Sequence, residues 1–187
     1  YISSRNKNIA KKLQKQFRQV KIIKDNQEII NKSSTIFLGL TPFVGNKILP
    51  KLKFSKSKKI ISLISTINLE KLKKITKNKN IVRATPLPPI EINKGPIVIC
   101  PPNKSAKNLF KYLGLVIEIK SENLSYKFWS TASIMAAYYE LLNISSGWLI
   151  KKGIKKNIAN NYISELFLSL SQDAVNKRSQ GFKKLVK

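Results

Sequence analysis

The 187-residue sequence contains no histidine and a single cysteine, Cys100. The absence of histidine excludes a Ser–His–Asp triad, a Cys–His dyad, a histidine general base and a histidine-ligated metal. One cysteine excludes an internal disulfide and a zinc site built on a CxxC pair. We therefore expect no metal site, and any chemistry must come from other groups.

Glycine is also scarce, with seven residues in the chain. Their spacing provides no GxGxxG loop, the sequence that normally follows the first strand of a dinucleotide-binding domain. Two alternatives remain at this point. Either the chain does not bind a dinucleotide, or the loop lies upstream of Tyr1.

Acidic residues are few, 9 against 36 Lys and Arg, which gives a formal net charge of +27. Such a charge suggests a noncatalytic nucleic-acid-binding protein. However, only four of the basic residues are arginines, whose planar fork reads phosphates and bases best. Lysine, isoleucine and asparagine dominate the composition, as A/T-rich codons would dictate. We favour a solvated lysine coat with no specific nucleic-acid partner, and keep the basic binding protein as the alternative.

One segment is long enough to test for a membrane span. Residues 128–150 contain a single charged residue, Glu140, but several Ser, Thr and Asn residues lower their tendency to insert. A buried helix without membrane contact is the preferred interpretation. Tyr1 stands where a methionine would, and no signal peptide follows. We therefore expect a cytoplasmic location and the interior of a longer chain.

Short apolar, β-branched runs alternate with segments of helical spacing over residues 1–120. The runs are residues 20–23, 35–40, 60–64, 81–84, 97–100 and 115–119. Asp25, Asn68 and Asn103 are positioned to cap helices, and Pro42 to begin one. This alternation predicts βαβ units in a Rossmann-like, doubly wound parallel sheet covered on both faces. Residues 121–187 show only helical patterns, which predicts a second, all-helical domain.

Polar residues follow the predicted strands at their carboxyl ends, where open parallel sheets bind ligands. Ser4 and Arg5 combine a hydroxyl group with a cation, as a clamp for the 2′-phosphate of NADPH would. The alternative is an ordinary turn that leads into a helix.

Several segments, in order, resemble the pyrroline-5-carboxylate reductase family. They are SSRN at 3–6, DNQE at 25–28, IFLGLTP at 36–42, residues 60–72, IVRATPLPP at 81–89, ENL at 122–124, AY at 137–138 and GI at 153–154. The resemblance implies NADPH-dependent hydride transfer to the C=N carbon of 1-pyrroline-5-carboxylate, which yields L-proline; NADH is the other possible cofactor. It also implies that the chain is a fragment, inactive alone, without the N-terminal GxGxxG unit and the C-terminal end.

Site residues follow from the same resemblance, position by position. The implied cofactor-binding residues are Ser4, Arg5, Asn26, Gly39, Leu40, Thr41, Pro42, Leu63 and Ser65, and the implied substrate contacts are Thr131, Ser133 and Tyr138. For the last three, a role as polar groups in helix packing is the alternative. No catalytic side chain is implied. The helical half is expected to form a homodimer or larger homo-oligomer.

The sequence departs from the family pattern in three places, the first of which is Thr41, where the family's strand-end motif has a lysine. The other two departures lie later in the chain. Leu87 and Pro88 replace an Asn-Thr pair, and residues 133–136 replace a Gly-Ser-Gly-Pro segment. Both changes alter side chains near the implied substrate site. A related reductase that acts on another small imine therefore remains an alternative.

Overall fold

The computed structural model describes residues 1–186. The chain forms two compact units, Tyr1–Ser130 and Thr131–Lys187. Among residues 1–186, the seven strands all lie in the first unit, and the second is helical. The domain boundary expected from the sequence, between residues 120 and 121, differs from this division by one helix and remains a prediction.

The elements alternate along the first unit much as the sequence predicts. The strands are β1 (Ile2–Ser3), β2 (Ile22–Ile23), β3 (Thr35–Leu38), β4 (Lys59–Ser62), β5 (Ile81–Pro86), β6 (Pro96–Cys100) and β7 (Leu115–Glu118). The helices are α1 (Lys7–Gln16), α2 (Asn26–Lys32), α3 (Pro42–Ile48), α4 (Leu69–Thr76), α5 (Lys104–Phe110), α6 (Glu122–Thr131), α7 (Ile134–Lys151) and α8 (Lys156–Lys177). Short 3₁₀ helices lie at Leu49–Lys51, Pro88–Ile92, Arg178–Gln180 and Phe182–Leu185. The α/β class with a helical C-terminal region is confirmed.

The strands form two sheets. β1 pairs with β2, and the larger sheet has the order β3-β4-β5-β6-β7. All neighbours are parallel except β5 and β6, where Arg83 lies opposite Cys100 in an antiparallel register. The prediction of an entirely parallel sheet is therefore wrong for this pair. The cause is the connection, because only a 3₁₀ turn and a few loop residues join β5 to β6, too little chain for a parallel crossover.

The five-stranded sheet is covered on both faces, as its continuous apolar strands predict. Ile60 belongs to one core, with Leu49 and Leu72. The next residue, Ile61, points to the other core, with Phe110. The alternation of side chains along a strand thus explains why apolar residues stand at consecutive positions in these runs.

The predicted helix starts are confirmed by their hydrogen bonds. The Asp25 carboxylate accepts from the backbone N–H groups of α2, and Asn68 and Asn103 accept in the same way from α4 and α5. Pro42 occupies the first turn of α3. These caps satisfy donors that the helices leave unpaired.

The second unit leaves much of its apolar surface open. No residue of α7 is buried, and Trp148 is 60% exposed, so the prediction of a buried helix over residues 128–150 is wrong for this chain. Within the unit, α7 packs on α8 through Tyr138 and Phe167, whose rings meet edge to face at 5.8 Å. In residues 1–186, no helix combines the length and the apolar character that a membrane crossing would require.

Candidate functional site

A groove of about 770 Å³ lies between β1 and β3. Its apolar floor comes from both strands, from α2 and from the 3₁₀ turn after α3. The lining residues are Tyr1, Ile2, Ser3, Ser4, Arg5, Lys24, Asn26, Ile29, Ile30, Ser33, Thr35, Ile36, Phe37, Leu38, Gly39, Leu40, Ile48, Leu49, Leu52 and Phe54.

Two strand edges border this groove. The backbone N–H groups of Ile2 and Ser4 donate to the carbonyl groups of Lys21 and Ile23, so β1 pairs with β2 on its far side. β3 pairs with β4 on its own far side. Within residues 1–186, no strand pairs with the two edges that face the groove. Both edges are therefore open to one further strand.

The polar rim of the groove lies at the carboxyl end of β1. Ser4 is half-buried and Arg5 is exposed, and Lys24 and Asn26 follow β2 at the same cavity. Opposite them, Gly39 follows β3, and a side chain there would meet no atom within 4 Å. A hydroxyl, two cations and an unobstructed backbone suit an anionic ligand such as a phosphate.

Asn6 supports the turn interpretation of the same segment. Its side-chain oxygen accepts from the backbone N–H of Ile9 at 3.1 Å and so caps α1. This leaves Ser4 and Arg5 at the groove, because the cap uses only Asn6. The two interpretations of residues 3–6 are therefore compatible.

A second, smaller pocket of about 190 Å³ lies where β4 and β5 end. It is lined by Leu63, Ile64, Ser65, Arg83, Ala84, Thr85, Pro86, Ser125, Tyr126 and Trp129. The backbone N–H of Leu63 donates to the carbonyl of Leu38 at 3.1 Å, which brings the entrance of this pocket beside the end of β3. One wall comes from the sheet and the other from α6.

Arg83 and Glu122 lie beside this pocket, and the sequence pattern predicted no role for this pair. Arg83 is 3% exposed and pairs with the Glu122 carboxylate at 2.8 Å. A signal was present, because a charged residue inside the apolar run of residues 81–84 can be buried only if it is paired. Together they hold the chain segment between β4 and α4.

The sequence-predicted site residues fall into four groups. Ser4, Arg5, Asn26, Gly39 and Leu40 line the groove, and Leu63 and Ser65 line the smaller pocket. Thr41 and Pro42 begin α3 and are outside the linings of both cavities. Thr131, Ser133 and Tyr138 are exposed residues of the second unit.

No protein-family profile matches the chain. A pyrroline-5-carboxylate reductase from Synechocystis is 31% identical over 121 residues, which is 60% of this chain and 44% of that enzyme. The crystal structure of 1-pyrroline-5-carboxylate reductase from Streptococcus pyogenes superposes with a TM-score of 0.79 at 19% identity, covering 92% of this chain and 69% of that one. The resemblance to the pyrroline-5-carboxylate reductase family is confirmed.

A third comparison gives the same fold. The NADP-bound pyrroline carboxylate reductase of Plasmodium falciparum superposes with a TM-score of 0.76 at 20% identity, over 89% of this chain and 66% of that one. The chain thus has the reductase fold, and its sequence match spans less than half the length of the Synechocystis reductase.

Proposed function

We propose that this chain is part of an NADPH-dependent reductase that converts 1-pyrroline-5-carboxylate to L-proline in the cytoplasm. The observation that carries the proposal is the groove, where Ser4 and Arg5 at the end of β1 share one cavity with Gly39 at the end of β3. Nucleotides bind at such carboxyl ends in open α/β sheets. The sequence match to the Synechocystis reductase supports the same substrate.

The residues at the groove suit NADPH. We propose that Ser4 and Arg5, with Lys24, bind the 2′-phosphate, and that Asn26 lies near the adenine end. Leu40, Thr41 and Pro42 would follow the cofactor beyond Gly39, and Leu63 and Ser65 would flank the nicotinamide. When bound, the cofactor supplies the hydride, and the chain orients it. Two cations at the rim favour NADPH over NADH, which remains the alternative.

We also propose that a further β-strand, with a glycine-rich phosphate loop at its end, completes the site. The two open edges of β1 and β3 support this, since a single parallel strand between them would join the two sheets. The isolated chain should then bind NADPH weakly and show no turnover, because the backbone N–H groups of that loop hold the pyrophosphate.

Substrate contacts and assembly belong to the same proposal. Thr131, Ser133 and Tyr138 are the proposed substrate contacts, and α7 and α8 the proposed interface of a homodimer or larger homo-oligomer. Exposed apolar side chains on both helices, such as Trp148 and Tyr162, support an interface, because such a surface is costly in water. Light scattering on the full-length protein would give its molecular mass, and a monomer would contradict this part.

The function is tested with the full-length protein, NADPH and pyrroline-5-carboxylate. We expect oxidation of NADPH and formation of proline, and Arg5→Ala should raise the KM for NADPH about tenfold while changing the KM for NADH little. Arg18→Ala, an exposed arginine in the loop before β2, is the matched control and should leave both KM values unchanged.

Absence of NADPH oxidation would contradict the proposal. Oxidation with another cyclic imine alone would favour the related reductase that the departures at Leu87 and Pro88 suggest. Tight, sequence-dependent binding of RNA or DNA at physiological salt, without reductase activity, would favour the basic nucleic-acid-binding protein.

A further inference from the structure

The guanidinium group of Arg83 is buried inside the first unit. Arg83 lies on β5, its side chain is 4% exposed, and it forms part of the inner wall of the smaller pocket. A charge at this depth is stable only when hydrogen-bond partners replace water around it. All of its hydrogen-bond partners come from two places, the segment after β4 and the start of α6.

The segment after β4 is held through its backbone. One terminal nitrogen of Arg83, Nη1, donates to the carbonyl oxygens of Ile64 at 2.8 Å and Ser65 at 2.7 Å. The other, Nη2, donates to the carbonyl of Ile67. Three carbonyls of an irregular segment thus converge on one planar fork, a geometry that lysine, with a single nitrogen, cannot reproduce.

Glu122 completes the arrangement from α6. Its Oε1 accepts from Nε of Arg83 at 2.8 Å, and both carboxylate oxygens accept from the backbone N–H of Leu69 at 3.0 Å. Leu69 is the first residue of α4, so the carboxylate also satisfies one of the donors that a helix start leaves unpaired. Arg83 and Glu122 therefore tie β5, the segment after β4, the start of α4 and the start of α6 together.

We propose that Arg83 and Glu122 are a positioning pair that sets the shape of the smaller pocket. The pair fixes the wall formed by Leu63 and Ser65 against the wall formed by Tyr126, whose ring centre lies 5.6 Å from the Arg83 guanidinium carbon. This positioning role rests on the proposed function, in which Leu63 and Ser65 flank the nicotinamide. Neither residue lines the β1–β3 groove, so the pair acts at the nicotinamide end of the cofactor and leaves the contacts in the groove in place.

Steady-state kinetics of the full-length protein test the pair. Arg83→Lys and Glu122→Gln should each lower kcat about 100-fold, because a wall displaced by about 1 Å disrupts the reacting geometry. The KM for NADPH should stay within about twofold, since the proposed 2′-phosphate contacts of Ser4, Arg5 and Lys24 lie in the groove and are unchanged. The double variant should be no worse than the worse single variant, because the two side chains act as one unit. Glu70→Gln is the matched control: it breaks an exposed ion pair with Lys74 on α4 and should leave kcat unchanged.

Two kinetic results would contradict the positioning role of Arg83 and Glu122. One is a loss of kcat accompanied by an equal rise in the KM for NADPH, and the other is additive effects of the two substitutions. Hydrogen exchange gives a readout independent of activity. Arg83→Lys should speed exchange in residues 63–69 and 122–129 and leave β6 and β7 unchanged, and equal exchange in the parent and the variant would also overturn the pair. If the parent protein had no reductase activity, only the proposed function would be contradicted. Hydrogen exchange would then test whether Arg83 and Glu122 hold the walls of the pocket.

Discussion

The side-chain amide of Gln27 pairs in both directions with the backbone of Lys53. The Lys53 N–H donates to Oε1 of Gln27 at 2.8 Å, and Nε2 of Gln27 donates back to the Lys53 carbonyl at 2.9 Å. The amide thus makes the two hydrogen bonds that the backbone of a neighbouring strand would make with Lys53. It links α2 to the chain that follows the 3₁₀ turn Leu49–Lys51, both of which border the β1–β3 groove.

Gln27→Glu tests this link. The new carboxylate would still accept from the Lys53 N–H, but its second oxygen would face the Lys53 carbonyl. We expect a loss of about 1–2 kcal/mol in the free energy of unfolding at pH 7, since one hydrogen bond becomes a repulsion. Urea unfolding measures it, and Gln16→Glu, on the exposed end of α1, is the control. Equal losses in the two variants would show that the amide pairing contributes nothing.

Asn78 is fully buried, and its amide donates to the carbonyls of Ser55 and Lys58 while its oxygen accepts from the Asn80 N–H. Asn78→Asp would place an oxygen against two carbonyls and should cost roughly 3 kcal/mol at pH 7. The new carboxyl should have a raised pKa in the folded state, so its contribution to stability is greatest at acidic pH and is lost as the pH rises. The deficit in urea unfolding should therefore shrink at about pH 4, and a deficit constant with pH would contradict this reasoning.

Gly114 lies against the backbone of Gly95. A Cβ atom at Gly114 would overlap the Gly95 carbonyl oxygen, which accepts from the Leu115 N–H at 3.0 Å at the start of β7. Gly114→Ala should lower the free energy of unfolding by roughly 2 kcal/mol, because backbone must move. Gly147→Ala in α7 is the matched control, since its Cβ meets open space and alanine favours helix by about 1 kcal/mol. The midpoint of thermal unfolding should fall in Gly114→Ala and rise in Gly147→Ala. A shift of both midpoints in the same direction would contradict the packing argument.

Glu118 has a pKa below its usual value, chiefly because the Lys107 ammonium group donates to it at 2.7 Å, with a further contribution from the Asn103 backbone N–H. A carboxyl with a lowered folded-state pKa stabilises the protein above its unfolded-state pKa and loses that contribution as the pH falls through the folded-state value.

Glu118→Gln should therefore be less stable than the parent protein at pH 7, and the difference should close as the pH falls through the folded-state pKa of Glu118. Unfolding by urea at several pH values measures it. Lys107→Met should reproduce the loss at pH 7, whereas Lys104→Met, on the exposed first turn of α5, should not. A difference between Glu118→Gln and the parent that persists at acidic pH would contradict the role of the ion pair.

Much of the fold could be predicted because its signals are local. Each apolar, β-branched run became a strand, and Asp25, Asn68 and Asn103 cap the helices that they were expected to begin. A capping side chain acts within three residues, so the sequence contains both partners of the interaction. The antiparallel direction of β6 was missed because strand direction depends on the path of the connecting chain.

The site could be predicted only in part, for a similar reason. Ser4, Arg5, Asn26, Gly39 and Leu40 share one groove, as strands that end at one edge suggest. The Arg83–Glu122 pair went unassigned, because its two residues are 39 positions apart and meet only through the packing of α6.

The sequence alone determined the α/β class, the caps, the exclusion of histidine chemistry and the family resemblance, because composition, periodicity and short motifs are properties of neighbouring residues. Only the tertiary structure decided which strand edges stay open, that α7 leaves its apolar side chains exposed, and that a buried arginine gathers three carbonyl groups. These depend on contacts between residues distant in the chain, whose partners are chosen by packing and by the need to satisfy buried polar groups.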